Sequence, residues 1–379
     1  MRISVSGGRE STEYAVGRFD AGELPDAEGR VAEGALRGGS REPVSDDRTL
    51  YVGTDHALYR ARPGDDGRWR AEGVALAGLG GVRGLLIDPD QPRRWWACTA
   101  GHGVLRTVDE GITWRESNQG ITRTEGWSLA CDSRTGELWY GAGPTAVFHS
   151  ADGGETWTAC EGIDRLPDRG EWDDPQPPYA SHVRGIALDG AGVVLAAVER
   201  GWLLRSADGG ATWTNVRDGI DRDCHSATFL PGEPATVIAT TGRGIFRSSD
   251  RGRTFALSVD GLLHPYVTQV VVHRDRPQVL FTAASEAEPA EWPRRPDGAN
   301  AGFYRSDDGG RTWCRLSGGL PEVMRPAPTF ACGDARHADS FYVGTSDGSV
   351  WLSEDGGGSF RIVVEGIQGA VRHLVLTRR

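Results

Sequence analysis

Near-copies of one eight-residue stretch constrain this chain more than any other feature. They read "TVDEGITW" (Thr107–Trp114), "SADGGETW" (Ser150–Trp157), "SADGGATW" (Ser206–Trp213), "SSDRGRTF" (Ser248–Phe255), "SDDGGRTW" (Ser306–Trp313) and "SEDGGGSF" (Ser353–Phe360). Their aspartates, Asp109, Asp152, Asp208, Asp250, Asp308 and Asp355, are spaced by 43, 56, 42, 58 and 47 residues. Self-similarity at a period of about 40–50 residues indicates a solenoid or a propeller. A repeated structural turn is an ordinary design, whereas a repeated catalytic site is not. In such a turn the Asp carboxylate accepts backbone N–H groups and the glycines permit positive φ. The Thr hydroxyl bonds back to the Asp, and the aromatic is free to bury between neighbouring sheets.

Each copy sits in a longer unit. "VRGLLID" (Val82–Asp88) precedes a "PDQP" turn, then come "RRWWACTA" (Arg93–Ala100), "GVLRT" (Gly103–Thr107), the box and "TWRES" (Thr113–Ser117). Four short β-type runs bounded by turn residues predict four antiparallel strands, here a to d from the inside outwards, with the box joining c to d. "TLYVGTDHALYRARPGDDGRWRAEG" (Thr49–Gly73) supplies strands b, c and d of a further unit, with Asp65 and Trp69 standing in for the box. Its missing strand a is supplied by "VRHLVLT" (Val371–Thr377), a near-copy of "VRGLLID". The expected fold is therefore all-β, a seven-bladed β-propeller of four-stranded antiparallel blades whose first blade is closed by the C-terminal strand, which leaves no unpaired inner edge. Residues 49–379 form the propeller, and residues 1–48 read as a loosely ordered extension rather than an added strand.

Composition narrows the function classes. A net charge of −11 without a basic block argues against nucleic acid as a partner. Every basic residue is Arg, so lysine-base and Schiff-base mechanisms are excluded. The six cysteines show no CxxC pair and read as free thiols in a reducing compartment. The start lacks the apolar core of a signal peptide, and no run is long enough to span a membrane. The expectation is a cytoplasmic protein without a membrane partner.

The boxes resemble the Asp-box, or BNR, repeat, and the resemblance covers the chain from Thr49 onward. That repeat is found in sialidases, xyloglucan-degrading hydrolases, sortilin-type receptors and photosystem II assembly factors. The resemblance implies a propeller in which the box lies away from the active centre. The chain has no Arg-Ile-Pro signature of sialidases and no Gly-Trp-Val-Gly pattern of the assembly factors. Its length suits one propeller rather than the two facing propellers of xyloglucanases.

Candidate sites therefore belong on the face opposite the boxes, where the b–c and d–a loops vary. Aligning the inner strands gives one ring position: Arg83, Trp127, Arg184, His225, Thr268, Pro328 and Arg372. Guanidinium forks pair well with carboxylate, sulfate or phosphate, so Arg83, Trp127, Arg184, His225 and Arg372 are expected to bind an anionic small molecule or an acidic segment of a protein partner. The other possibility is that the arginines pair with Asp or Glu between blades. A glycoside hydrolase-like or metal-assisted enzyme would need two carboxylates about 5–10 Å apart; Glu199 and Asp347 are candidates, with Asp173 and Asp174 as replacements. No motif marks a cofactor, and a metal would require convergence of His102, His182, His225 and His264 across blades. A third class, an assembly scaffold, would use exposed Trp172 and Trp292 on the two long loops.

Overall fold

The computed structural model describes residues 2–7, 10–15, 47–172 and 180–378, with side chains from residue 47 onward. Seven four-stranded antiparallel blades form a ring. Blade 1 contains Arg48–Thr54, Leu58–Pro63 and Trp69–Ala75, and its inner strand is Val371–Arg378. That closing strand pairs along its length, from Arg48 opposite Arg378 to Gly53 opposite His373. The inner strands of blades 2 to 7 are Val82–Ile87, Glu125–Cys131, His182–Leu188, Cys224–Leu230, Tyr266–Val272 and Pro328–Gly333.

Strand b of each blade is buried on both faces, as in Leu138–Gly143, Val194–Glu199 and Leu280–Ser285. A strand covered on both sides reads as a continuous apolar run instead of an alternating one, which explains "LWYGAG" and "VLAAVE". The core lies between blades. Trp96, Cys98 and Val104 of blade 2 pack with Leu138, Tyr140, Phe148 and Trp157 of blade 3. Each such fully buried large side chain stabilises the fold by about 1.5–3 kcal/mol.

The boxes are closed hydrogen-bond rings. Asp208 Oδ1 accepts from Ser206 Oγ (2.8 Å) and the Thr212 N–H (2.8 Å), and Oδ2 accepts from Thr212 Oγ1 (2.6 Å). The Gly210 N–H donates to Ser206 Oγ, and Trp213 Nε1 donates to the Gly210 carbonyl. Asp109, Asp152, Asp250, Asp308 and Asp355 repeat the carboxylate contacts. Gly210 has φ +88, and a Cβ there would lie 2.8 Å from the Trp139 ring of the preceding blade. The box thus bends its own hairpin and fits it against its neighbour. In blade 1 the carboxylate that caps the turn is Asp66, which accepts from the Arg68 N–H at 3.1 Å, not the expected Asp65.

The N-terminal expectation needs a correction. Arg2–Gly7 and Glu10–Ala15 are two strands, the first pairing parallel with the outer strand of blade 2. Ile3, Val5 and Tyr14 give these runs β-forming residues. Residues 16–46 lie outside the described residues.

Candidate functional site

Every pairing of strand a with strand b carries a register shift at the same level. The extra residue is Arg372, Arg83, Trp127, Arg184, His225 and Thr329 in blades 1 to 5 and 7, while Thr268 and Gln269 share the shift in blade 6. A β-bulge re-aims its extra side chain, and here these residues line one pocket of about 300 Å³. In blade 7 Thr329 occupies the ring, where strand alignment puts Pro328. Pro328 pairs in register with Thr345 at the strand's first position, a place that tolerates a residue without an N–H.

Each of the three ring arginines has a carboxylate partner, the pairing that the sequence left open as the other possibility. Arg83 donates to Glu125 Oε1 at 2.7 Å, and its guanidinium lies 3.8 Å from the centre of the Trp127 ring. Arg184 donates to Glu199 Oε2 at 2.7 Å and to the Tyr266 hydroxyl at 3.3 Å. Arg372 donates to Asp55 Oδ2 at 3.2 Å. Trp127 is also stacked on His182, with ring centres 3.5 Å apart.

Where blades 4 and 5 meet, a cluster forms that strand alignment alone does not show. Glu199 ends strand b of blade 4, while Asp223 precedes and His225 bulges from strand a of blade 5. One ligand atom from each lies within 4.8 Å of the others. His225 Nδ1 is 2.6 Å from the Val267 carbonyl, so that nitrogen carries a proton and donates it. Its Nε2 faces Asp223 Oδ2 at 3.4 Å without forming a hydrogen bond, on a side chain 0% exposed. Asp223 Oδ1 is buried and likewise unbonded. His182 Nε2, 3.3 Å from Glu199 Oε2, is a third buried atom without a hydrogen bond.

Both carboxyls stay ionised. Burial works against the charge of Glu199, but Arg184, then His182 and His225, outweigh it and hold the group well below the usual carboxylate range. Burial also opposes the charge of Asp223, and His225 and Arg184 prevail there over repulsion from Glu199. Asp223 and Tyr266 form part of the wall of a loop-face groove of about 810 Å³, with Asp221, Arg222, Arg243, Glu288 and Glu291 further out.

The remaining candidates lie elsewhere. Asp347 is fixed in its own turn, accepting from Thr345 Oγ1 at 2.6 Å and the Ser349 N–H at 3.1 Å. It therefore does not pair with Glu199; Asp223 takes that place. Asp173 and Asp174 lie outside the described residues. His264 Nδ1 is engaged with the Tyr304 hydroxyl at 2.7 Å. His102 is not among the residues that the structure gathers around a possible ion. Of the four candidate histidines only His182 and His225 reach the cluster. Trp172 is fully buried, and Trp292 is half-buried with Nε1 donating to the Ala287 carbonyl, so neither presents an exposed apolar face. Sequence reasoning missed Asp223 and Tyr266; the available signal was the "DCH" run, a carboxylate two residues before a ring histidine.

Fold and site together define the class: a seven-bladed β-propeller with a carboxylate–imidazole recess on its loop face. No protein-family model matches the chain. Among curated proteins it is 25% identical over 261 residues to a xyloglucanase from a Paenibacillus species, covering 63% of this chain and 24% of that protein. It is 25% identical over 169 residues to an oligoxyloglucan-reducing end-specific xyloglucanase of Emericella nidulans, covering 42% and 20%. The chain thus spans about a quarter and a fifth of the length of these relatives. Among solved structures, a GH74 enzyme of Niastella koreensis superposes with a TM-score of 0.57 at 19% identity, covering 76% of this chain and 46% of that one. A structure of YCF48 bound to D1 peptide superposes with a TM-score of 0.50 at 17% identity, covering 75% and 81%. These structural likenesses establish the propeller fold.

Proposed function

We propose that this propeller is a glycoside hydrolase-like enzyme that works on a saccharide chain lying in the loop-face groove. The observation that carries the reading is the Glu199–Asp223 pair, whose oxygens come within 4.8 Å of each other and of which Asp223 lines that groove. Two curated relatives named as xyloglucanases support a glycan substrate class. The groove wall carries Asp221, Arg222, Arg243, Glu288 and Glu291 beside Phe246, Leu257, Pro265 and Tyr266, so its polar groups suit sugar hydroxyls and its apolar and aromatic groups suit the faces of sugar rings. Held ionised, Glu199 and Asp223 suit a base or ligand role. Protonation of the departing sugar oxygen is then carried by another group. Incubation with a panel of β-glucan and xyloglucan oligosaccharides tests the reading. Release of new reducing ends is expected, with a loss of about 100-fold or more in Glu199→Gln. A folded protein inert toward the whole panel would overturn it.

A second reading, binding of an anionic small molecule or an acidic partner segment in the channel, retains one supporting observation. Arg83, Arg184 and Arg372 line the same pocket, and each guanidinium has more donors than its carboxylate partner uses. Saturable binding of citrate or sulfate, lost in Arg372→Ala, would favour it.

A further inference from the structure

We propose that Glu199, Asp223 and His225 hold a single divalent transition-metal ion beside the groove that Asp223 lines. The inference deepens the proposed function and rests on it only for the identity of the working site. Buried polar atoms in folded proteins are almost always hydrogen-bonded, and exceptions call for an explanation. Here the cluster holds two such atoms, His225 Nε2 and Asp223 Oδ1, and a third, His182 Nε2, lies 3.3 Å from Glu199 Oε2.

The arrangement of His225 points to an ion. Its Nδ1 proton is given to the Val267 carbonyl at 2.6 Å, which leaves Nε2 as the atom that faces the carboxylates, and a proton held there would be released when an ion binds. Metal-binding histidines are oriented in this way by a backbone carbonyl or a carboxylate behind them. Glu199 is oriented too: Oε2 accepts from Arg184, which is itself braced by the Tyr266 hydroxyl, and Oε1 takes no hydrogen bond among the described residues.

The spacing also fits. Bonds of about 2.0–2.2 Å in a tetrahedral site place ligand atoms about 3.3–3.6 Å apart. The His225 Nε2–Asp223 Oδ2 distance is 3.4 Å, and the ligand atoms of the three residues all lie within 4.8 Å of one another, so small rotations complete the set. Two carboxylates outweigh the single Arg184 charge, so the recess carries a net negative charge that attracts a cation. An imidazole with two carboxylates suits Zn²⁺, Mn²⁺ or Co²⁺ better than Ca²⁺, which takes all-oxygen sites. Asp223 also lines the groove, so a water or a sugar hydroxyl there would approach the ion from that side.

The test uses the full chain stripped with EDTA, desalted, and titrated with Zn²⁺ and with Co²⁺. One equivalent should bind, and Co²⁺ should give visible d–d absorption. Asp223→Asn and His225→Ala should each weaken binding by about 100-fold while the circular dichroism of the propeller is unchanged. If His225→Ala fails to fold, Glu199→Gln gives the same readout with volume preserved. No stoichiometric binding by the folded protein, or equal binding by the variants, would overturn the proposal. The two readings separate cleanly. Glycan cleavage that survives chelation removes the metal and keeps the enzyme, whereas a bound ion without cleavage does the reverse.

Discussion

The two faces of this propeller obey different rules. On the box face, Asp208 and its five counterparts make the same contacts with the same residue types, because each turn solves the same backbone problem. On the loop face the common device is only a bulge; the residue it presents changes from Arg to Trp, His or Thr. Uniformity there marks stability and variation here marks chemistry. The polar groups show the same contrast. Box carboxylates are satisfied within their own turns, whereas the loop-face recess leaves three buried atoms without a hydrogen bond.

Substitutions should break that contrast in opposite directions. The largest stability effect is expected at a box glycine. Gly210→Val places a side chain at φ +88 against the Trp139 ring and should cost about 3 kcal/mol or more, measured by urea unfolding. Asp308→Ala removes acceptors for Ser306, Arg311 and Thr312. It should cost about 1–2 kcal/mol and leave any activity at the recess unchanged. Acid should then act mainly through the boxes. Hydrogen bonds from Thr156 and Thr212 hold Asp152 and Asp208 at about 2. At Asp250 and Asp308 slight burial opposes the charge, yet the N–H groups of Thr254 and Thr312 bring the value to about 2. Folded values below the ordinary 3.8 mean that this stabilisation is complete above about pH 4 and is lost as pH falls toward 2. Solvent screening keeps each contribution small, and thermal melts across that range in the wild type and Asp308→Asn would measure it.

His373 extends the acid window. Burial lowers its value from 6.5 to about 4, against a hydrogen bond to the Leu85 backbone. This half-buried imidazole, held neutral, favours folding above pH 6.5, and that stability is lost as pH falls from there to about 4. His373→Phe should therefore flatten the melting curve's pH dependence between those values. The smallest effect concerns thiols, since Cys98, Cys160 and Cys224 are buried while Cys131 and Cys314 are exposed. Burial pushes Cys98 and Cys160 up to about 12. Ellman's reagent should label Cys131 and Cys314 in the native protein and reach the buried thiols only after unfolding.

Much of the box face was legible in the sequence, because a turn closed by neighbouring residues must be written with neighbouring letters. Blade 1 shows the limit: its turn shifted the capping carboxylate from Asp65 to Asp66 without disturbing the strands around it. The ring was legible because the bulge recurs at one level, and it slipped only at Pro328, where a proline opens the strand. The recess was not legible as a site. Glu199 and Asp223 meet across two blades, and whether an arginine is free or paired depends on such tertiary partners. Arg83 finds Glu125 from the next blade, and Arg372 on the closing strand finds Asp55 just past the end of the strand it pairs with, so their charges are partnered locally. Trp172 shows the converse error: its long loop folds it into the core beside Val198 and Trp213.

The central claim is that chemistry resides in the recess and only architecture in the boxes. The most direct test assays Asp223→Asn and Asp308→Asn side by side for oligosaccharide cleavage and melting temperature. The account predicts that Asp223→Asn loses about 100-fold or more of the activity at nearly unchanged melting temperature, while Asp308→Asn melts earlier and cleaves normally. Wild-type activity in Asp223→Asn, or a loss that follows melting temperature in both variants, would contradict it.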